Sequence, residues 1–418
     1  MRVDSQRRRM LARLGGLASA AGAGRATALL PGLLGGLAHT ASASEQVTLP
    51  FANGQRELIA FPEKRPLIVL TARPPQLETP FRIFDQGLLT PNDAFFVRYH
   101  LSGIPTHIDP ASFRLRIGGL VNKPLELSLR DLAQNFTPVE VVAVNQCSGN
   151  SRGFFAPRTN GGQLANGAMG NARWKGVPLK ALLDAAGVAA GARQVSFDGL
   201  DEPAVAEGGD FVKALDIDHA RDGEVMVAWE MNGAPLPMLN GFPLRLIVPG
   251  YYGTYWVKHL SSIEVLDHVY DGYWMKSAYR VPDNDCHCVE PGTQPKATIP
   301  IERFTIRSFI TSHVTGDTLQ VGKPAALRGI AFDSGRHIEE VALSGDGGQT
   351  RQATRLGASL GRYSFQAWEA EFTPPRPGPV DLRVRARNRA GESQPVSASW
   401  NGPGYLRNVI ESTVVTAL

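Results

Sequence analysis

Val139-Glu140-Val141-Val142-Ala143-Val144-Asn145-Gln146-Cys147-Ser148-Gly149-Asn150-Ser151-Arg152 is a strand that runs out into a cysteine. Val139 to Val144 has the β-branched composition of a strand. It then breaks into small residues that let backbone and solutes approach closely. A cysteine at such an exit is expected to be exposed, and Arg152 follows it five residues on. Cationic neighbours favour the thiolate, the form that ligates a metal or attacks an electrophile. One thiolate beside arginines points to a soft metal site that receives an anion.

Three other segments carry chemistry of the same kind. Phe95-Phe96-Val97-Arg98-Tyr99-His100, if extended, sets Phe96, Arg98 and His100 on one face, a guanidinium beside an imidazole among apolar neighbours that would desolvate both. Alone, it equally fits an exposed edge arginine and a packed histidine. Asn232-Gly233-Ala234-Pro235-Leu236-Pro237, Gly241-Phe242-Pro243-Leu244-Arg245 and Trp256-Val257-Lys258-His259 form rigid turns around Arg245 and Lys258, which could grip a phosphorylated cofactor or simply be surface charge. Tyr273 to Arg280 interleaves aromatics with bases. It reads either as ring packing between domains or as a tyrosine hydroxyl, Tyr279, turned to a bound oxyanion.

The first 43 residues read as an address. Arg7, Arg8 and Arg9 precede an Ala/Gly/Leu-rich stretch, and Ala41-Ser42-Ala43 supplies a small-residue cleavage site, the pattern of a twin-arginine export signal. This predicts a periplasmic protein, delivered already folded, with no membrane span in its mature form. The leader holds six arginines and one acid. Removing them from 43 basic and 39 acidic residues leaves 37 and 38, so the basicity belongs to the leader and gives no argument for nucleic-acid binding. Cys286 and Cys288 do not read as a disulfide framework. They are expected in a loop or strand, a metal chelate being the alternative.

The pattern divides the remainder. Residues 44–92 are proline-rich and irregular, a wrapping arm. Residues 93–271 mix strands (113–117, 194–197, 244–248) with a helix at 178–186 that stops before Gly187, an α+β domain. Residues 272–320 form a connector. In residues 321–418 the runs 325–332, 338–344, 368–372 and 380–386 alternate, with a hairpin signal at Asp346-Gly347-Gly348, as in an all-β, immunoglobulin-like sandwich.

Taken together the chain resembles the sulfite oxidase family of molybdopterin enzymes, bacterial periplasmic sulfite:cytochrome c oxidoreductases above all. The resemblance is carried in family order by FFVRYH (95–100), NQCSGNSRGFF (145–155), GAMGNARWKGVPL (167–179), FDGLD (197–201), AWEMNGAPLP (228–237), GFPLRLIVPG (241–250), WVKHL (256–260), YWMKSAYRVP (273–282), SGDGGQT (344–350) and WNGPGYLRN (400–408). It implies a sulfite-oxidase-type molybdopterin domain followed by a dimerisation-type sandwich, with Cys147 as the one protein ligand of molybdenum. It implies Arg98 and Arg152 as cationic walls for sulfite and Tyr279 as the active-site tyrosine. Phe95, Phe96, Val97, Arg98, His100, Cys147, Asp201, Asn240, Arg245, Trp256, Val257 and Lys258 fall at the pterin, and Arg362 is the candidate for an arginine contributed by the sandwich. Asn240 stands where vertebrate members carry histidine. No haem-attachment motif occurs, so the resemblance implies that electrons leave to a separate c-type cytochrome, within a heterodimer or from a homodimer. A sulfane dehydrogenase of a thiosulfate-oxidising system shares fold and cofactor and is the alternative enzyme. A secreted immunoglobulin-like binding protein without metal is the alternative outside enzymes.

Overall fold

Val139–Gln146 pairs antiparallel along its whole length with Met169–Pro178, which pairs in turn with Met226–Met231; Arg245–Ile247 joins the latter strand. The strand's first residues are exposed, and from Val142 onward every residue is buried. Ala143 packs into the larger hydrophobic core, while Val144 packs into an aromatic cluster shared with the sandwich and donates its N–H to Tyr363 O at 2.9 Å. Burial on both faces is why the run reads as continuous valine and alanine rather than as an alternation. The computed structural model describes residues 46–48, 55–59, 61–205 and 208–418, so the expected leader lies outside the described residues.

A second sheet orders Lys213–Asp216, Gln194–Asp198, Ser262–Leu266, Leu115–Gly119 and Leu125–Leu127, with one parallel pair, Ser262–Leu266 beside Leu115–Gly119. Between these sheets lies the helix Leu179–Ala186, which buries Leu179, Leu182, Leu183 and Ala186 and ends at Gly187 in the left-handed conformation, φ 69°. A glycine there removes the Cβ clash that would make this cap costly.

The arm differs from its expectation. Its described residues form a sheet of Gln46–Thr48, Gln55–Ile59, Leu67–Ala72 and Pro75–Glu78, closed by Val97–Arg98. The prolines among its described residues lie at strand ends and turns, where a missing N–H is tolerated. Glu78 fastens this sheet to the segment after Cys147 by accepting the N–H groups of Ala165 and Gly167, each at 3.1 Å.

The C-terminal part is a two-sheet sandwich. One sheet orders Arg307–Ile310, Ala325–Phe332, Gln366–Phe372 and Arg355–Ser359; the other orders Thr318–Leu319, Ser412–Ala417, Gly378–Asn388, Ile338–Ser344 and Gln352–Ala353. Its first strand therefore comes from within the expected connector, before residue 321. Leu327, Val341, Leu343, Trp368, Leu382, Val384 and Val415 fill the space between the sheets. A second cluster, with Val144, Met169, Tyr252 and Tyr279 from one side and Phe309, Ile330, Phe332 and Phe365 from the other, fuses the sandwich and the preceding α+β part into one core. Each such side chain contributes ~1.5–3 kcal/mol on burial, which makes this a rigid joint.

Candidate active site

Cys147 opens the turn after its strand, its N–H bonded to Ala168 O and its carbonyl receiving the N–H of Asn150. It is the free cysteine among the described residues and, contrary to the expectation of exposure, it is buried, 8 % accessible at the floor of a cleft. The cleft is lined by Cys147 with Phe96, Arg98, His100, Asn145, Ser148, Phe211, Leu239, Asn240, Arg245, Gly253, Thr254, Lys258 and Tyr279. The alternation at 95–100 is realised. Phe96, Arg98 and His100 face the cleft, while Phe95 stacks under Phe96 and Val97 and Tyr99 are buried in the arm's core.

The lining carries three cationic side chains and no carboxylate. Arg245 is buried over the indoles of Trp174 and Trp256, 5.4 and 5.9 Å from its guanidinium carbon, and burial lowers its pKa to about 10. Lys258 lies 4.2 Å above the Tyr99 ring and donates to Arg98 O at 2.9 Å. Burial brings its pKa down to about 7 against the opposing pull of Asp201. His100 stacks on Phe211 at 4.0 Å, and burial with Arg98, Lys258 and Lys213 nearby pushes its pKa well below the usual value. The neutral imidazole therefore accepts the Tyr279 hydroxyl at Nε2. Burial raises the Tyr279 pKa, so that hydroxyl keeps its proton.

Six buried polar atoms of this lining have no hydrogen-bond partner: His100 Nδ1, Asn145 Nδ2 and Oδ1, Ser148 Oγ, Arg245 Nε and Thr254 Oγ1. Each such group costs ~1–3 kcal/mol left unpaired, so their gathering on one cleft marks the place of a polar, anionic ligand.

A family model described as the oxidoreductase molybdopterin binding domain matches residues 101–274. The chain is 31 % identical over 363 residues to sulfite oxidase of Gallus gallus, covering 82 % of this chain and 77 % of that one. To sulfite oxidase of Arabidopsis thaliana it is 30 % identical, covering 86 % and 96 %. The chain belongs to the sulfite oxidase family. The mitochondrial enzyme of Homo sapiens is 31 % identical over 83 % of this chain, which spans 65 % of that relative's length. The fold matches the crystal structure of the sulfane dehydrogenase SoxCD from Paracoccus pantotrophus with a TM-score of 0.68 over 93 % of this chain and 96 % of that one, at 22 % identity.

Against the expectations for a sulfite oxidase family member, the cleft gathers Phe96, Arg98, His100, Cys147, Asn240, Arg245, Lys258 and Tyr279. Phe95, Val97, Trp256 and Val257 stand behind it, in the packing that holds those side chains. Asp201 is buried and acts on Lys258 through its charge. Asn240 is already committed: its Nδ2 donates to Phe96 O at 3.2 Å and its Oδ1 accepts from Lys64. Arg152 lies outside the lining, under Tyr405. Arg362 does not reach the cleft, because its guanidinium is drawn over the Tyr363 ring and pairs with Glu224. Cys286 and Cys288 are disulfide-bonded to each other, which replaces the unpaired reading. Asn284 closes that turn through both its Nδ2 and its Oδ1. Asn145, Ser148 and Thr254 were missed. The first two flank Cys147 within its own motif, and their polarity at the buried end of an apolar strand was the available signal.

Proposed function

We propose that this chain oxidises sulfite to sulfate at a molybdenum–molybdopterin group, passes the electrons to a separate c-type cytochrome, and works in the periplasm after twin-arginine export. The observation that carries the reading is the single free thiol on the floor of a cleft lined by Arg98, Arg245 and Lys258 with six unpaired polar atoms around them. These residues fit the group. Cys147 would hold the metal through its sulfur. Arg245, Lys258, His100, Ser148 and Thr254 would hold the anionic pterin by charge-assisted hydrogen bonds. When bound, the group supplies the two-electron acceptor and the oxygen-transfer chemistry.

The remaining work belongs to the side chains. Arg98 orients the sulfite oxygens with a forked guanidinium. Tyr279 holds its proton on the hydroxyl, donating to His100 Nε2 until an oxyanion competes for it. Phe96, Phe211 and Leu239 keep the cleft apolar on one side, which strengthens every charge–charge contact within it. The two-sheet sandwich is proposed to be of the immunoglobulin-like type and to mediate a homodimer or the contact with a cytochrome subunit.

The test is elemental analysis of the exported protein, made in a host that produces the pterin, together with a sulfite-dependent cytochrome c reduction assay. The expected result is one molybdenum per chain and turnover with free sulfite. Molybdenum without sulfite turnover, but with activity on a carrier-bound sulfane sulfur, would replace the substrate. A folded protein without molybdenum would end the reading.

A further inference from the structure

Arg152 is 9 % accessible and has no carboxylate partner among the described residues. Its contacts are carbonyls and Tyr405, through the ring and the hydroxyl. Nε donates to Pro403 O at 2.7 Å, Nη1 to Gly162 O at 3.3 Å, and the guanidinium carbon lies 5.0 Å from the centre of the Tyr405 ring. Three glycines leave room for it. A Cβ on Gly149 would stand 2.7 Å from the guanidinium carbon, one on Gly161 2.7 Å from Nη1, and one on Gly404 2.8 Å from Cγ. Gly404 also needs its left-handed φ of 65° for the turn that carries Pro403 and Tyr405. Asn401 clips that turn at both sides of Tyr405, accepting its N–H and donating to its carbonyl, each at 3.0 Å. The Tyr405 ring in turn stacks on Tyr279, centroids 5.5 Å apart and planes 13° apart.

A buried guanidinium faced by carbonyls and by a neutral tyrosine, with no carboxylate, has its charge left over for an anion nearby. Arg152 does not line the cleft, whereas Tyr279 does, and Tyr405 is the ring joining them. Resting on the function just proposed, we propose that Tyr405, supplied by the sandwich, is a positioning residue: it holds the Arg152 guanidinium and the Tyr279 ring in register, and so completes the sulfite-binding wall from the far side of the domain joint. The sandwich then buttresses the substrate pocket from behind its lining, and Arg152 acts on it by fixing, through Tyr405, the position of Tyr279.

The experiment uses the full chain loaded with its cofactor, as wild type, Tyr405→Leu and Tyr405→Phe. Molybdenum content, kcat and KM for sulfite across pH, and sulfate binding by calorimetry are measured. Tyr405→Leu is expected to raise the sulfite KM and weaken sulfate binding, each about tenfold, with metal content intact and kcat changed far less. Tyr405→Phe keeps the ring and is expected to restore most of both affinities. A leucine variant with wild-type KM and sulfate affinity overturns the proposal, as does one that loses metal or loses kcat in the same proportion, since that is a merely structural role. The sulfate titration separates the two readings. Weaker sulfate binding in the leucine variant alongside a wild type that does not oxidise sulfite keeps the wall and removes the substrate.

Discussion

In the sandwich, Asn388 donates to Asp333 and Glu392, Asp333 accepts the N–H groups of Gly335 and Arg336, and Gln394 bonds Ser308, Ala386 and Val409. Around Cys147 the side chains are as deeply buried, yet Asn145 uses neither side-chain atom and Ser148, Thr254, His100 and Arg245 each leave one idle. The first network closes on itself and serves folding. The second is left open, and its unpaired atoms lower the stability of the empty fold until a ligand binds and restores it by mass action. Unpaired sandwich atoms also occur among the described residues, on Arg307, Trp368, Arg385 and Arg407, but none of them lines the Cys147 cleft. The teaching is that clustering, rather than occurrence, separates a site from ordinary packing.

The sharpest way to break the contrast is Cys147→Ser. It replaces a soft ligand by a hard one of similar size, so it should leave thermal unfolding nearly unchanged and reduce sulfite oxidation by at least about 10³-fold, ~4 kcal/mol in the barrier. Activity near wild type, measured as cytochrome c reduction per mole of chain, would make the cleft's thiol a bystander.

Next in size is Lys258→Met, which keeps the side-chain length over Tyr99 and removes the charge. A charge-assisted hydrogen bond is worth ~1.5–3 kcal/mol, so pterin retention should weaken about ten- to a hundredfold, read as the fluorescent oxidised pterin released from washed protein. Unaltered retention would mean that Arg245 and the idle hydroxyls suffice, and that Lys258 serves Arg98 and the fold.

Much of this was legible in the sequence because the informative residues obey local rules. The period of two at 95–100 put Phe96, Arg98 and His100 on the cleft. The strand 325–332 and the helix ended by Gly187 follow from alternation and from a glycine cap. What was not legible depends on contacts between segments far apart in the chain. Lys64 lies in the arm, yet its ammonium is buried against Phe95 O and Asn240, where burial lowers its pKa to about 7. Tyr405 reaches Arg152 across some 250 residues of sequence. The sandwich covers the strand before Cys147 through Tyr363, whose carbonyl accepts the Val144 N–H, a contact that no reading of the strand by itself reveals.

A substitution inside the closed region should act on stability alone. Leu327 is fully buried between the sandwich sheets, and Leu327→Ala should cost ~2–5 kcal/mol. The denaturant midpoint should fall while kcat and KM for sulfite stay within about twofold, since Leu327 touches neither the Tyr405 turn nor the cleft. A matching fall in activity would show that the joint transmits core packing to the site and would blur the contrast.

His100 and His259 repeat the comparison on one side-chain type. His100 has one open nitrogen. His259 is closed, its Nδ1–H donating to Phe242 O at 2.6 Å and its Nε2 accepting from the Tyr99 hydroxyl at 2.7 Å. Burial drives its pKa from 6.5 to about 3. The folded state therefore refuses a proton that the unfolded chain accepts below pH 6.5, and stability is lost as the pH falls from 6.5 toward 3. The slope reaches ~1.4 kcal/mol per pH unit once the unfolded histidine is fully protonated. His259→Gln cannot titrate, so it should be less stable than wild type at neutral pH and should lose less on acidification, the gap narrowing by ~2 kcal/mol between pH 6.5 and 5 in urea titrations. Glu78→Gln should give the opposite sign. Burial raises that carboxyl to about 7, so its contribution is present below pH 4.5 and is lost as the pH rises to 7. If the His259 gap stays constant with pH, the imidazole ionises alike in both states and burial does not hold it neutral.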